Sequence, residues 1–148
     1  MAMPQPTVGQ LMTPNPITIN HGQTVGRAME LMARYDIRRL PVIRDGKLAG
    51  VVSDRDVKQM AGRPSVKIAK TDADNAYLQL PVEEVMTLNA ITVRESQPAQ
   101  DAIALMIKHK ISGLPVVGRD GALVGIISEQ DVLKYCLSIL EREADRPA

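Results

Sequence analysis

This chain of 148 residues contains no Phe or Trp and three Tyr, so its core must consist of Val, Ile, Leu, Met and Ala. Its formal net charge is +1 and it has no block of Lys and Arg, which argues against nucleic acid or an acidic membrane as a partner. The single cysteine excludes an intrachain disulfide. The N-terminal residues lack the pattern of a signal peptide, and no apolar run reaches the roughly 20 residues of a membrane span. We therefore expect a cytoplasmic protein.

In chain order, each half of the sequence predicts a helix, a strand, a helix, two strands and a final helix. Apolar residues at helical spacing mark the longer helices, short apolar runs mark the strands, and Asp-Gly marks the turn of a hairpin. In the first half, a Thr7–Gln10 capping box begins a short helix, and this helix ends near Met12–Thr13. A strand at 17–19 and a helix within 24–37 follow. Strands at 39–43 and 48–53 flank Asp45-Gly46, and the last helix begins at Asp54.

The two halves of the sequence repeat each other. The segment VGQLMTPNPITI (8–19) returns as VEEVMTLNAITV (82–93), and IRRLPVIRDGKLAGVVSDRDV (37–57) returns as ISGLPVVGRDGALVGIISEQDV (111–132). The offset is 74 residues at the start of the first pair (8 to 82) and 75 at the end of the second (57 to 132), so one residue is inserted in the turn of the second copy. The chain is therefore a tandem duplication.

The repeat divides the chain into two domains, a linker and a tail. We place the domains at 7–61 and 82–137, a polar, proline-bounded and partly helical linker at 62–81, and a polar tail with a disordered end at 138–148. A half of about 55 residues buries little surface alone. The two halves should therefore pack through their sheets about an approximate two-fold axis, with equivalent residues lining the cleft between them.

The motif GVVSDRDV (50–57) and its copy GIISEQDV (125–132) place a serine and an aspartate where a strand meets a helix. The simplest interpretation is a capping box, in which the serine oxygen accepts a hydrogen bond from a free amide at the helix start, worth about 1 kcal/mol. The alternative is a ligand site. A helix N-terminus favours anions, and the glycines at 50 and 125 let another group approach the backbone closely.

Charged residues near the first motif favour the ligand interpretation. An aspartate at a helix start can accept hydrogen bonds from the two vicinal hydroxyls of a ribose, and arginines hold phosphate through paired N–H donors. The combination suggests a nucleotide, although Arg38 and Arg39 could also be a solvated strand edge. The first copy carries arginines at 38, 39 and 55, which the second copy replaces with Ser112, Gly113 and Gln130, so the two sites should differ in ligand preference.

These motifs resemble those of CBS domains, modules named after cystathionine β-synthase that occur in pairs as Bateman modules. The resemblance rests on the recurring LMT or VMT opening with N-x-I-T, on LPV at 40–42 and 114–116, and on the Asp-Gly turn and the final G-h-h-S-x-x-D. It covers residues 7–61 and 82–137 and extends to free-standing bacterial CBS-pair proteins, including acetoin-utilisation regulators. It implies an α/β (α+β) fold of two β-α-β-β-α units.

The resemblance also implies a set of ligand-binding residues. The serine and aspartate of each final motif would hold phosphate and ribose, and the threonines beside each first strand would line an adenine pocket. Arg38 and Arg39 would face phosphates, and the backbone at 111–113 would contact the purine edge. The full set is Thr13, Thr18, Arg38, Arg39, Leu40, Pro41, Ser53, Arg55, Asp56, Thr87, Thr92, Ile111, Ser112, Gly113, Leu114, Pro115, Ser128, Gln130 and Asp131.

The function implied by the resemblance is regulatory. We expect a homodimeric module that senses an adenosine-containing ligand (AMP, ADP, ATP, NAD or S-adenosylmethionine), requires no cofactor, and signals to an enzyme or transporter in trans. The alternative is a structural or interaction scaffold with vestigial pockets. An enzyme that uses a bound adenosyl cofactor is disfavoured, because no base lies near the motifs.

No catalytic set is apparent in the sequence. His21 and His109 have no counterparts in the other half, and we expect both to be isolated surface residues. We expect Cys136 on the last helix to be a buried, inert thiol. No His/Cys cluster has metal-ligand spacing, and no P-loop lysine motif occurs. The helix at 98–111 is apolar almost all round, so it packs against a second subunit or is covered within the chain.

Overall fold

The computed structural model describes residues 5–62 and 72–147, the side chains of 72–75 excepted. It divides into two compact units. The first-repeat unit is Ile17–Ala90, and the second-repeat unit consists of the residues up to Pro16 together with those from Ile91 onward. Each unit therefore joins the body of one repeat to the opening segment of the other. The boundaries of the compact units fall at other positions than the boundaries of the sequence repeat. The domain boundaries inferred from the repeat therefore stay a prediction.

The described elements follow the order that the sequence predicts, with a 3₁₀ turn in place of a helix at the second opening. In chain order they are α1 (Val8–Leu11), β1 (Thr13–Pro14), β2 (Ile19–Asn20), α2 (Val25–Arg34), β3 (Arg39–Arg44), β4 (Lys47–Ser53), α3 (Asp54–Ala61), 3₁₀ helices at Asp72–Gln79 and Val82–Glu84, β5 (Val93–Arg94), α4 (Ala99–His109), β6 (Gly113–Val117), β7 (Leu123–Ser128) and α5 (Glu129–Ala144).

The sheet of the first-repeat unit has the strand order β2-β3-β4, parallel between β2 and β3 and antiparallel between β3 and β4. The predicted hairpin is confirmed, with φ of 51° at Asp45 and 77° at Gly46, a left-handed turn that suits Asp-Gly. On the free edge of β4, Val51 pairs with Thr87: the amide of each donates to the carbonyl of the other, at 3.1 and 2.8 Å. The opening of the second repeat thus extends the sheet of the first.

The sheet of the second-repeat unit has the order β1-β7-β6-β5. Its edge strand β1 comes from the opening of the first repeat and lies antiparallel to β7, with Thr13 opposite Ile126. The turn between β6 and β7 contains the inserted residue predicted from the repeat. Gly118 donates its amide to the Ala122 carbonyl at 2.8 Å, and Gly121 takes a φ of 82°. The opening segment of the other repeat therefore extends each sheet at one edge, as the strand β1 here and as the single Thr87 bridge in the first-repeat unit.

Each unit has its own aliphatic core, as the composition predicts. The opening segments contribute to these cores, because Val82 is fully buried in the first-repeat unit and Val8 in the second-repeat unit. The capping box that starts α1 is also confirmed, since Gln10 and Thr7 each donate a backbone amide to the other's side chain, at 3.2 and 2.9 Å. Fully buried strand residues include Ile19, Leu40, Pro41, Val42, Val52, Val93, Leu114, Val116 and Ile127.

Two glycines explain how the opening segments lie so close to the sheets. A Cβ at Gly50 would lie 2.7 Å from the Thr87 carbonyl oxygen, and one at Gly125 would lie 2.9 Å from that of Thr13. The sequence suggested that these glycines let another group approach the backbone. That group is the chain's own opening segment, whose methionine sulfur, Met86 or Met12, also lies against the glycine.

The last helix, α5, buries none of its residues and continues through Ala144, so most of the tail predicted at 138–148 is helical. Cys136 is exposed, and the prediction of a buried thiol is wrong. It lies at helical spacing with apolar neighbours that are more than half exposed, so the stripe faces outward. These neighbours are Leu133, Leu137 and Leu140, exposed by 62%, 55% and 66%.

Helix α4 is covered on one face. Ala99, Ala102 and Met106 are buried, whereas Ile107 is 74% exposed, so within the described residues the helix is not covered on all sides. The predicted linker is helical where it is described, at Asp72–Gln79, and its residues 63–71 lie outside the described residues. No helix in the described ranges is both long and apolar enough to cross a membrane.

Candidate functional site

The first-repeat unit brings Ser53, Asp56 and Thr87 together at the start of α3. Ser53 caps the helix: its Oγ accepts from the Asp56 amide at 3.1 Å, and the Asp56 carboxylate accepts from the Ser53 amide at 2.9 Å. The predicted capping box is therefore present. The Thr87 hydroxyl lies 3.4 and 3.5 Å from the two Asp56 oxygens. Because Thr87 and Asp56 are both partly open to solvent, a ligand hydroxyl could replace the threonine at the carboxylate.

Arginines flank this cluster at the start of β3. Arg39 lies opposite Ser53 in the antiparallel register, and the Arg38 carbonyl accepts a 2.9 Å hydrogen bond from the Asp54 amide. Arg38 and Arg55 are exposed, and Arg39 is partly buried. The start of α3, with the partial positive charge of its helix dipole, thus lies near three arginines in the fold, an arrangement suited to a phosphate group.

The second-repeat unit contains the equivalent cluster of Ser128, Asp131 and Thr13. The Asp131 carboxylate accepts from the Ser128 amide at 2.9 Å and from the Ser128 hydroxyl at 3.0 Å. The Thr13 hydroxyl donates to its other oxygen at 2.9 Å. Asp131 is therefore more fully hydrogen-bonded than Asp56, and a ligand hydroxyl would have to displace a shorter hydrogen bond here.

The surroundings of this second cluster carry no arginine at the matching positions. Gly113 lies opposite Ser128 in the register, and the Ser112 carbonyl accepts from the Glu129 amide at 2.9 Å, as Arg38 does from Asp54. Gln130 is exposed where the first copy has Arg55. The backbone frames match, but at these three positions the first repeat has arginines, which bind a phosphate bidentately, and the second repeat has none.

The two threonines of these clusters are exchanged between the repeats. Thr13 opens the first repeat but contacts Asp131, and Thr87 opens the second repeat but contacts Asp56. The sequence identified all four residues without indicating which threonine accompanies which aspartate. Only the exchange of the opening segments, which is a property of the fold, decides that pairing.

The other predicted site residues lie nearby with less direct roles. Ile111 packs against the second-repeat core. Within the described chain, no hydrogen bond joins Thr18 or Thr92 to either aspartate. Four residues have buried side chains and can offer a ligand only backbone atoms: Leu40, Pro41, Leu114 and Pro115. Their assignment as ligand-binding residues stays a prediction.

An ion-pair cluster that the sequence did not predict lies in the first-repeat unit. One Glu83 oxygen is 3.0 Å from His21 Nδ1 and 2.5 Å from Arg44 Nη2. The prediction that His21 is an isolated surface residue is therefore wrong, whereas His109 is exposed. The hydrogen bonds from His21 and then Arg44 hold the pKa of Glu83 below its ordinary value of 4.5. No sequence signal marks this cluster, because its members lie far apart and have no repeat counterparts.

Among the described residues, no group of three or more His, Cys, Asp or Glu side chains could hold a metal ion. The two clusters consist instead of a carboxylate, two hydroxyls and a helix N-terminus each, which are groups that bind hydroxyls and anions.

The chain belongs to the CBS domain family, whose model matches residues 8–61 and 82–138. The fold is therefore a tandem pair of CBS domains. Among curated relatives, the chain spans 93% of a CBS domain-containing protein of Dictyostelium discoideum at 31% identity, but 21% of the inosine-5'-monophosphate dehydrogenase of Methanocaldococcus jannaschii, also at 31% identity.

Solved structures of CBS pairs match this chain over 90–97% of its length. A candidate acetoin utilization protein (AcuB) from Vibrio cholerae matches at 32% identity, with a TM-score of 0.80 and coverage of 97% of this chain and all of that one. CBSX2 of Arabidopsis thaliana, solved with AMP, matches at 33%, with a TM-score of 0.75 and coverage of 90% and 98%. The CBS pair of MJ0100, solved with 5'-methylthioadenosine and S-adenosylmethionine, matches at 26%, with a TM-score of 0.73 and coverage of 91% and 98%.

Proposed function

We propose that this chain is a regulatory module that binds an adenosine-containing ligand at the Asp56 cluster, the Asp131 cluster or both, and signals to a partner protein in the cytoplasm. One observation carries the proposal: in each unit a threonine hydroxyl from the other repeat rests on the helix-capping aspartate, at the point where a strand delivers the chain into a helix. Similar CBS pairs have been solved with AMP and with S-adenosylmethionine.

The chemistry of each cluster suits an adenosine ribose. The aspartate keeps an oxygen for a ribose hydroxyl once the threonine moves aside, while its other oxygen continues to accept the serine amide. The capping box and the ligand contact are therefore compatible. A 5'-phosphate would lie near the start of the following helix, where the helix dipole favours negative charge.

The two clusters should prefer different ligands. Arg38, Arg39 and Arg55 surround the first-repeat cluster, which favours phosphorylated ligands such as AMP, ADP, ATP or NAD. The second-repeat cluster lacks these cations, which favours ligands with less negative charge, such as adenosine or S-adenosylmethionine. No catalysis is proposed, because the clusters contain no nucleophile activated by a base. The match to the archaeal inosine-5'-monophosphate dehydrogenase spans 21% of that enzyme, so the activity of the enzyme is not assigned to this chain.

We also propose that the module is a homodimer. The outward stripe of α5, defined by Leu133, Cys136, Leu137 and Leu140, has the i, i+3, i+4, i+7 spacing that packs against another helix. An exposed Ile107 on α4 adds to the uncovered apolar surface. A second copy of the same chain offers the same apolar stripe.

A thermal-shift series with AMP, ADP, ATP, NAD and S-adenosylmethionine tests the proposed function on protein refolded free of carried-over ligand. A ligand at a hundred times its Kd adds about 2.7 kcal/mol to the free energy of unfolding, which raises Tm by roughly 5–11 °C at this chain length. Failure of every ligand at millimolar concentration would contradict ligand binding and favour the alternative, a scaffold with vestigial pockets.

A further inference from the structure

The ion-pair cluster of Glu83, His21 and Arg44, called here the Glu83 clamp, joins three separate elements of the first-repeat unit. Its carboxylate lies in the 3₁₀ turn Val82–Glu84, its imidazole follows β2, and its guanidinium ends β3. Backbone bonds reinforce it: the Glu83 amide donates to the His21 carbonyl at 3.3 Å, and the His21 amide donates to the Ile43 carbonyl at 3.0 Å. The clamp fixes the 3₁₀ turn to the end of the sheet.

The same turn leads directly to the ligand-site threonine. The Met86 amide donates to the Val82 carbonyl at 2.8 Å, and the next residue, Thr87, pairs with Val51 and reaches Asp56. The segment from Val82 to Thr87 is thus held at its start by the clamp and at its end by the sheet edge. Glu83 therefore lies four residues before the threonine whose hydroxyl is beside Asp56.

The clamp is absent from the equivalent place in the second-repeat unit. At the 74-residue offset, Glu83 corresponds to Gly9, Arg44 to Gly118 and His21 to Glu95, so glycine replaces both the carboxylate and the guanidinium of the clamp, and an acid replaces its imidazole. The opening segment there still reaches its sheet, and Thr13 still reaches Asp131. Closing the fold therefore does not require a clamp, and its presence in the arginine-flanked unit calls for another role.

We propose that Glu83 is a positioning residue for the first-repeat ligand site: by holding the Val82–Thr87 segment against β3, it sets the place of Thr87 beside Asp56 and thereby the affinity of that site alone. The inference rests on the proposed function for its ligand and on the described contacts for its geometry. Glu83 itself does not touch the ligand.

The test is Glu83→Gln, with Glu84→Gln as the matched control, because Glu84 is an exposed carboxylate in the same turn. Each is made in two backgrounds, Asp131→Ala to leave the first-repeat site and Asp56→Ala to leave the second. AMP affinity is measured by calorimetry at neutral pH and well below Tm. We expect Glu83→Gln to weaken AMP binding about five- to tenfold in the Asp131→Ala background, the scale of the net contribution of one ordinary hydrogen bond, and less than twofold in the Asp56→Ala background.

Amide hydrogen exchange gives a readout that needs no ligand. We expect Glu83→Gln to speed exchange at Met86 and Thr87 and to leave unchanged the amide of Met12, which donates to Val8 as Met86 donates to Val82. Arg44→Gln, at an exposed position, should have a smaller effect in the same direction.

A purely structural clamp would lower Tm while leaving AMP affinity unchanged in both backgrounds, and that result overturns the inference. If neither background binds any nucleotide, the proposed function fails; unchanged exchange at Thr87 would overturn the positioning role separately.

Discussion

Thr13 donates a 2.9 Å hydrogen bond to Asp131, 118 residues further along the chain. Its counterpart, the contact of Thr87 with Asp56, is looser at 3.4 Å. In both pairs the threonine opens one repeat and the aspartate ends the other, so neither cluster can form from a single repeat. Duplication followed by exchange of the opening segments makes each candidate ligand site depend on both copies.

Asparagine and alanine at position 56 should separate helix capping from ligand binding. Asp56→Asn keeps an oxygen that can accept the Ser53 amide, whereas Asp56→Ala removes it. We expect the alanine variant to lose about 1 kcal/mol of unfolding free energy and the asparagine variant less. Both should lose AMP binding in the first-repeat unit, because the amide cannot replace a charged acceptor for the ribose. Urea denaturation and calorimetry measure the two effects. AMP binding by Asp56→Asn at the parental affinity would mean that the aspartate serves only as a cap.

The exchange of opening segments shows which features a sequence pattern can predict. The capping boxes at Ser53 and Ser128 and the Asp45-Gly46 turn were predicted because each depends on residues within a few positions of one another. A buried valine in an opening segment fits the core of either repeat equally well, so periodicity cannot assign Val8 or Val82. The Glu83 clamp joins residues 62 and 39 positions apart, and no local pattern marks it.

Alanine at Gly125 should destabilise the second-repeat unit. Its Cβ would lie 2.6 Å from the Met12 sulfur and 2.9 Å from the Thr13 carbonyl oxygen. The sulfur can move, but the backbone oxygen belongs to the strand pair that brings Thr13 to Asp131. We expect a loss of about 1–3 kcal/mol in chemical denaturation. Gly22→Ala is the control, because nothing lies within 4 Å of a Cβ there and its effect should stay within about 0.5 kcal/mol. Equal effects would contradict the close packing of β1 on β7.

Glycine at Lys110 should stabilise the chain. Lys110 ends α4 with φ 55° and ψ 46°, a left-handed conformation that costs a residue with a side chain roughly 1–2 kcal/mol. Lys110→Gly should therefore raise the unfolding free energy by about 1 kcal/mol, allowing for the entropy that glycine loses on folding. The exposed Lys108 lies inside the helix, and Lys108→Gly should lower the unfolding free energy by a similar amount. The opposite signs distinguish backbone conformation from loss of a lysine charge.

The Glu83 clamp should weaken in acid. His21 and Arg44 hold the pKa of Glu83 below 4.5, so its ionised form contributes stability that is fully present above that value. The contribution is lost as pH falls through the lowered pKa. We expect wild type to be more stable than Glu83→Gln at pH 6 and the difference to shrink toward pH 3, measured by urea denaturation across that range. A difference that stays constant over this range would contradict ionisation of Glu83 as the source.

Reactivity of Cys136 should report the proposed homodimer. The thiol is exposed in the single chain and lies within the α5 stripe between Leu133 and Leu137. If a second copy covers the stripe, Cys136 should react slowly with a thiol reagent such as DTNB, and dilution or replacement of both leucines by glutamate should restore the rate of a free thiol. Sedimentation should show the double glutamate variant as a monomer, because a carboxylate in an apolar helix interface must be desolvated without a partner.

Leu88→Glu is the control for the Cys136 experiment, as Leu88 is 63% exposed but lies outside α5. Fast reaction in wild type at the concentration where sedimentation shows a dimer would place the interface elsewhere on the chain.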